Sequence, residues 1–302
     1  MILGIKVGPQ SESIEDLKEA NPPFAEVWFN ILQKEQYESL FEELKRRNMA
    51  VGLHFWGHLP DQTWTNIALP DEHIVRRSMD QLKETIDIAS FHHFQYVNFH
   101  PSTRTPVKID ITRQTFTPLG QPIPKHEAQE IFLNNLSLLD EYARSKHVLL
   151  TIETIPSRDT NGWRAKEARN NPFTIYSLEN SVVVKAATKG FTVANDFGHT
   201  ACTVRTQNRP YIWSTLVQMT KNMFHQTKVL HLGFIIPPYN GTDFHDHLDN
   251  PIFDTDEAIP NRNEMIELLR LFKERDDVYA LVEPDGRHVQ NYFYAKEMID
   301  RL

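Results

Sequence analysis

Eight short runs with β-strand character punctuate the chain: Ile2–Val7, Glu26–Asn30, Ala50–Phe55, Gln95–His100, Val148–Thr154, Phe191–Asp196, Lys228–Leu232 and Val278–Glu283. Between most of them lie stretches with helical periodicity, such as "SIEDLKEA", "YESLFEELKRRN", "HIVRRSMDQLKETIDIAS" and "NEMIELLRLFKERD". In the first of these, Ser13 is placed as an N-cap ahead of an acidic first turn. Strands alternating with helices imply βαβ units and a parallel sheet. Eight such units predict an α/β chain closed into a single (β/α)8 TIM barrel over residues 1–302. An open doubly wound sheet would carry a glycine-rich phosphate loop after its first strand, and "VGPQSES" is not one.

Composition agrees with one large core. Of 302 residues 40% are apolar, including 18 Phe, 9 Tyr and 5 Trp, and no low-complexity or Gly/Ser-rich linker marks a boundary. The formal charge of −8 argues against non-specific nucleic-acid binding, although a local positive cleft or bound cations can reverse that. Cys202 is the one cysteine, so no intrachain disulfide forms and a reducing compartment is expected. "MILGIKVGPQ" lacks the features of a signal peptide, and no run reaches the roughly 18 apolar residues of a membrane span. The expectation is a cytoplasmic protein with no membrane partner.

Period two locates the chemistry. In "QYVNFH", Val97 and Phe99 face the outer helices, while Tyr96, Asn98 and His100 point inward. In "FTVANDF" the inward set is Thr192, Ala194 and Asp196; in "LVEP" it is Glu283. Taken strand by strand, the C-terminal ends offer His54, His100, Glu153, Asp196, His231 and Glu283. That end of a barrel is where active sites are built. His199 follows Asp196 by three residues, and "TDFHDHLDN" brings Asp243 and His245 into the loop after strand seven.

Any one of these has an ordinary structural reading: a hydrogen-bonded histidine, or a carboxylate capping a helix. Coincidence on one parity changes the balance. Crowded carboxylates cost several kcal/mol unless cations neutralise them. Mixed imidazole and carboxylate donors suit zinc first, then manganese or iron, rather than calcium or magnesium. Nine candidates exceed one tetrahedral ion and imply two or three with a bridging carboxylate. His73, His92, His93, His126 and His225 read as surface residues, and His147 lies at the opposite end of the barrel. His58, His247 and His288 lie nearer the mouth.

The order of these elements resembles the xylose-isomerase-like barrels, and within them the endonuclease IV family of apurinic/apyrimidinic endonucleases. "VNFHPS" is similar to that family's "NFHPGS", "TIETIP" to "IENTAG", "ANDFGHT" to "IDTCHT", "LHLGF" to "MHLND" and "DFHDHL" to "DRHHSL". After His54, "TNIALPDEHIVRRSMDQL" resembles "INLASPDEELREKSIEAL". The resemblance implies that His54 and His100 hold one ion and share Glu153 with a second. Asp196, His231 and Glu283 complete that second site, and His199, Asp243 and His245 hold a third. It implies a metal-dependent phosphoester hydrolase in which Glu153 and Glu283 serve catalysis, with abasic DNA as one candidate substrate. Trp64 falls where the nucleases carry an apolar wedge, though an aromatic packing a loop on the barrel reads equally well, and Arg104 is a second candidate substrate contact. The sugar isomerases and epimerases of the same superfamily need only Glu153, Asp196, His231 and Glu283 around one ion, with a sugar or sugar phosphate as substrate.

Departures gather in the loops. "HLGF" lacks the Asn-Asp of the nucleases, "DNP" replaces "GEG", and "VGPQSES" replaces "SAAGGL". Pro101 to Lys125 form a long loop whose segments "VKIDIT" and "QTFTPL" predict a hairpin over the mouth. The metal chemistry therefore transfers better than the substrate.

Overall fold

A computed structural model describes residues 1–110, 115–156, 176–204, 206–239, 241 and 244–302. Eight parallel strands close on themselves: β1 (Ile2–Val7), β2 (Phe24–Asn30), β3 (Ala50–Trp56), β4 (Tyr96–Phe99), then β7 (Leu149–Glu153), β8 (Val193–Asp196), β9 (Thr227–His231) and β10 (Tyr279–Leu281). Each pairs with its neighbour in chain order, and β1 pairs with β10. The remaining two strands, β5 (Val107–Asp110) and β6 (Thr115–Pro118), form an antiparallel hairpin outside the barrel.

Outward-facing residues of the barrel bury against amphipathic helices. Helix α2 (Glu38–Arg46) turns Leu40, Phe41 and Leu44 inward, and α4 (Lys125–Ser145) turns Ala128, Phe132, Leu133, Leu136, Leu139 and Ala143. In the same way α5 (Ser181–Thr188), α7 (Arg209–Met223) and α9 (His288–Ile299) bury Val182, Leu216 and Val289. Polar caps set where helices begin. Asp71 accepts from the N–H groups of His73 and Ile74 to start α3 (Glu72–Phe91). Asn261 and Glu264 form a reciprocal capping box on α8 (Arg262–Arg270). Ser13 does not cap a helix as its position suggested. Helix α1 (Glu12–Ala20) begins before it, and the buried Ser13 hydroxyl instead accepts the Gly8 N–H at 3.0 Å, holding the loop after β1.

The interior is layered. The lower layer is apolar: Phe24, Tyr96, Ala194, Val229 and Leu281 pack together, with the Tyr279 ring 4.4 Å from that of Phe24. At its upper edge, where Tyr96 stands, the sheet register sets Lys6 beside Glu26, Glu26 beside Gly52, and Gly52 beside Tyr96. A Cβ on Gly52 would stand 2.1 Å from the Tyr96 ring, so glycine is what lets that phenol cross the barrel. Its hydroxyl donates to Glu26 at 2.6 Å.

The hairpin lies over the mouth. Thr63 bridges to Lys108, and Trp64 N–H donates to the Val107 carbonyl at 2.8 Å. Val107, Ile109 and Phe116 bury with Trp56, Trp64 and Tyr176 in an apolar cluster separate from the main core. On its other side the same loop is tied to Tyr176–Leu178 by the Thr103–Ser177 bridge and the Leu178 N–H to Ser102 carbonyl bond. Among the described residues no helix is long and apolar enough to cross a membrane.

Candidate metal centre

The polar strand ends meet in one volume. His54 lies near the end of β3, His100 just past β4, and Glu153, Asp196 and His231 are the last residues of β7, β8 and β9. Glu283 stands two residues beyond β10. Donor atoms of His54, His100 and Glu153 lie within 4.8 Å of one another, as do those of Glu153, Asp196, His231 and Glu283. Glu153 belongs to both sets, with Oε2 3.4 Å from His54 Nε2 and Oε1 3.2 Å from His231 Nδ1. Glu153 and His231 are fully buried.

Hydrogen bonds orient the donors. Asp196 accepts the His199 N–H through Oδ1, capping the short helix α6 (Phe197–Ala201), which leaves Oδ2 facing His231 Nδ1 at 3.9 Å. A Cβ on Gly233 would sit 2.8 Å from Asp196 Oδ1, so the "HLGF" departure makes room for this carboxylate. His199 Nδ1 lies 2.8 Å from the Thr154 carbonyl and His245 Nδ1 lies 2.7 Å from the Glu283 carbonyl. A carbonyl only accepts, so each Nδ1 carries the proton and each Nε2 offers its lone pair. The two rings lie 6.3 Å apart. Asp243 lies outside the described residues.

Two residues of this centre escape a reading by strand ends, because they sit one layer lower on β1 and β2. Glu26 accepts from Lys6 at 2.5 Å and from Tyr96, and lies 3.1 Å from His231 Nε2. A carboxylate on Nε2 leaves Nδ1 as the nitrogen turned toward Glu153, Asp196 and Glu283, the arrangement that orients metal-binding imidazoles. Lys6 also reaches Glu283 and lies 2.7 Å from His54 Nδ1. The available signal was a lysine and a glutamate on inward parity in otherwise apolar runs, "ILGIKV" and "FAEVWF".

The donor set fits divalent ions. His100 Nδ1 is buried without a hydrogen bond among the described residues, and Glu153 Oε1 and His231 Nδ1 face each other at 3.2 Å without hydrogen-bond geometry. Among the described residues, four carboxylates (Glu26, Glu153, Asp196 and Glu283) face one ammonium, Lys6, an excess of buried negative charge. Imidazole nitrogen with carboxylate oxygen is the donor chemistry of zinc, manganese and iron. His54, His100 and Glu153 can hold one ion, and Glu153, Asp196, His231 and Glu283 another.

A cavity of about 590 Å³ opens above these groups. Lys6, His54, His100, His199, His245 and Glu283 form its floor; Trp28, Trp56, Trp64, Phe116 and Tyr176 form an aromatic wall.

Residues 14–178 match the family model described as xylose isomerase-like TIM barrel. The chain belongs to the xylose isomerase-like TIM barrel family. No curated protein sequence matches it. Among solved structures, this xylose isomerase-like barrel is similar to D-allulose 3-epimerase from Methylomonas sp. in complex with D-allulose (TM-score 0.65, 10% identity, covering 100% of this chain and 96% of that one). It is also similar to endonuclease IV from Thermus thermophilus (TM-score 0.58, 13% identity, 100% of both chains). A third is another Thermus thermophilus protein, soaked with ZnCl2 (TM-score 0.59, 16% identity, 100% and 99%). At these identities the likeness speaks for the fold.

Electrostatics in this xylose isomerase-like barrel follow from burial against pairing. Burial works to raise the Glu153 carboxyl, but His231 and its other imidazole neighbours hold it well below the usual carboxylate range. Burial works to neutralise His231, and Glu153, Glu283 and Glu26 overcome it, so this imidazole is raised well above its ordinary value. For His100 burial wins over Glu153 and pushes the ring down to about 3. His100 is therefore neutral, the form that donates a lone pair.

Of the two candidate substrate contacts, Trp64 lines the cavity, packed 5.0 Å from Phe116 under the hairpin. Arg104 instead donates to the Ile123 carbonyl at 3.0 Å and is not among the cavity's lining residues. In the loop after β9, Asp246 accepts from its own neighbours His247 N–H and Asn250, while His247 meets Asn291 at 3.2 Å. His245, not His247, lines the cavity.

Proposed function

We propose that this protein is a multinuclear metal-dependent hydrolase of a phosphoester carried by a small polyhydroxylated molecule, a sugar phosphate rather than duplex DNA. The observation that carries the reading is the sharing of Glu153 between two donor sets, one more than a single-ion isomerase requires. Bound divalent ions supply Lewis acidity toward phosphoryl oxygen and a water of lowered pKa. His54, His100 and Glu153 would hold one ion and Glu153, Asp196, His231 and Glu283 the second; His199 and His245 would hold a third together with Asp243, which lies outside the described residues. Glu153 keeps the first two sites together. Glu26 fixes His231, and the Thr154 and Glu283 carbonyls fix His199 and His245.

The substrate side follows from the roof. A duplex needs an open, basic face, whereas the hairpin and the aromatic wall enclose about 590 Å³, the scale of a small-molecule pocket. Among the described residues that line it, Lys6 is the one lysine or arginine, and it already pairs with Glu26 and Glu283. Trp28, Trp56 and Trp64 offer ring faces against which the C–H face of a sugar packs. Elemental analysis and phosphate release from a panel of sugar phosphates test this. At least two ions per chain with turnover of a sugar phosphate support it; a single ion without phosphate release overturns it. Cleavage of an abasic duplex that weakens steeply with salt would reinstate DNA.

A second reading has its own observation. Glu153 and Glu283 stand in one four-residue set, as a proton-transferring pair on a chelated hydroxy-ketone would. Endonuclease IV and D-allulose 3-epimerase share this fold, so both chemistries suit the scaffold. Deuterium uptake from D2O into a ketose carbon, with one ion bound, distinguishes this reading from hydrolysis.

A further inference from the structure

Beneath the two donor sets that share Glu153 lies a third. Glu26, His54, His231 and Glu283 also bring donor atoms within 4.8 Å of one another. The two imidazoles divide the space. His54 turns Nε2 toward Glu153 and Nδ1 toward this lower pocket, and His231 turns Nδ1 toward Glu153 and Nε2 toward Glu26. Glu283 does the same, with Oε2 3.3 Å from His231 Nδ1 and Oε1 on the Lys6 side. The lower pocket contains a cation of the protein's own. Lys6 Nζ lies 2.5 Å from Glu26 Oε1 and 2.7 Å from His54 Nδ1, and pairs with Glu283.

We infer that Lys6 occupies a latent metal site: its ammonium stands where a further divalent ion would bind to Glu26, His54, His231 and Glu283, and so limits how many ions the centre takes up. The chemistry supports the exchange. Two carboxylates and two imidazoles are a sufficient donor set for zinc or manganese. Among the described residues Lys6 supplies the fixed positive charge of that pocket from β1, directly beside Glu26 in the sheet register. A tethered ammonium cannot dissociate, so it holds both carboxylates at any metal concentration. It also settles the imidazoles. Lys6 Nζ at 2.7 Å and Glu283 Oε1 at 3.0 Å both engage His54 on its Nδ1 side, leaving Nε2 for the Glu153 side. An ion in the lower pocket would share Glu283 and both histidines with the upper sites, taking the opposite atom of each: Glu283 Oε1, His54 Nδ1 and His231 Nε2.

The inference rests on the metal-centre reading, and metal counting separates the two. Wild type, Lys6→Met and the double variant Lys6→Met/Glu26→Gln are loaded with zinc or manganese, desalted and analysed for metal per chain, with thermal melting in parallel. Lys6→Met is expected to carry one ion more than wild type. The added ion should be lost when Glu26→Gln is combined with it. If Lys6→Met is unfolded without metal, added zinc or manganese should restore cooperative melting at the higher count. Equal counts in wild type and Lys6→Met, or a Lys6→Met chain that metal does not restore, overturn the inference. A wild type that binds no metal overturns the centre proposed above, and leaves the Lys6→Met comparison with the double variant still decisive for the latent site.

Discussion

At the level of single residues, the chemistry depends on which nitrogen of each histidine is left free. Glu26 matters for that reason although it belongs to neither of the two donor sets that share Glu153. It lies 3.1 Å from His231 Nε2 and so assigns Nδ1 to the centre. Glu26→Gln should weaken metal binding roughly 10- to 100-fold, the usual effect of losing an orienting carboxylate. Competition with a chromophoric chelator measures this, and an unchanged affinity would mean that His231 is held by packing alone. The loop after β9 gives a sharper pair. His245→Ala should lower the metal count by one, because its ring lines the cavity and is held there through Nδ1 by the Glu283 carbonyl. His247→Ala should leave the count intact and cost only about 1 kcal/mol, the worth of its contact with Asn291. A lower count in His247→Ala alone would move the ligand to that position.

Elements position these residues, and their junctions carry their own pH dependence. After β2 the chain turns through a short 3-10 helix, Ile31–Tyr37, before α2. The turn is pinned by Tyr37, whose buried hydroxyl donates to the Trp28 carbonyl at 2.9 Å and accepts the Asn30 N–H at 3.0 Å. Burial pushes this phenol up to about 12. In the unfolded chain tyrosine ionises near pH 10. The unfolded state therefore loses its proton first, and stability falls as pH rises from about 10 to 12. Below about pH 10 the contribution is fully present. Chemical denaturation across that range should show a falling stability that is flatter in Tyr37→Phe; identical slopes would remove Tyr37 as the cause. The hairpin β5–β6 shows the other side of element-scale reasoning. Alternation in "VKIDIT" and "QTFTPL" foretells two strands, but that they seal an aromatic wall with Trp56, Trp64 and Tyr176 depends on a segment some 60 residues further along the chain.

For the whole molecule, the barrel forces buried carboxylates together, and bound cations should stabilise it. Ions that bind only the folded chain add about 2.7 kcal/mol when free metal is 100-fold above Kd. Exhaustive chelation should then lower the melting temperature by roughly 5 °C or more, with recovery on adding zinc or manganese. Calorimetry of apo and reloaded protein checks this. Identical melting would show that Lys6 and hydrogen bonds already compensate the centre. The single-domain reading over residues 1–302 is tested by the same scans, which should show one transition.

Much of this was readable from the chain. Period two placed Asp196 and Glu283 on the inward parity because side chains alternate across a strand, a local rule needing no tertiary information. Eight strand–helix alternations point to a closed barrel because each parallel pair needs a crossover helix. Boundaries drifted by a residue or two, as at β4, where His100 falls just past the strand end, since hydrogen bonding rather than hydropathy ends a strand. What the chain could not state were the contacts made across the barrel. Lys6 and Glu26 become neighbours through the shared register of β1 and β2, and Tyr96 reaches Glu26 only because Gly52 has no side chain between them. The roof over the mouth is of the same kind, joining hairpin, Trp64 and Tyr176 from distant segments. Local periodicity determined which residues face inward; three-dimensional closure decided which of them touch, and hence which carboxylate orients which imidazole and where an ammonium stands among the ligands.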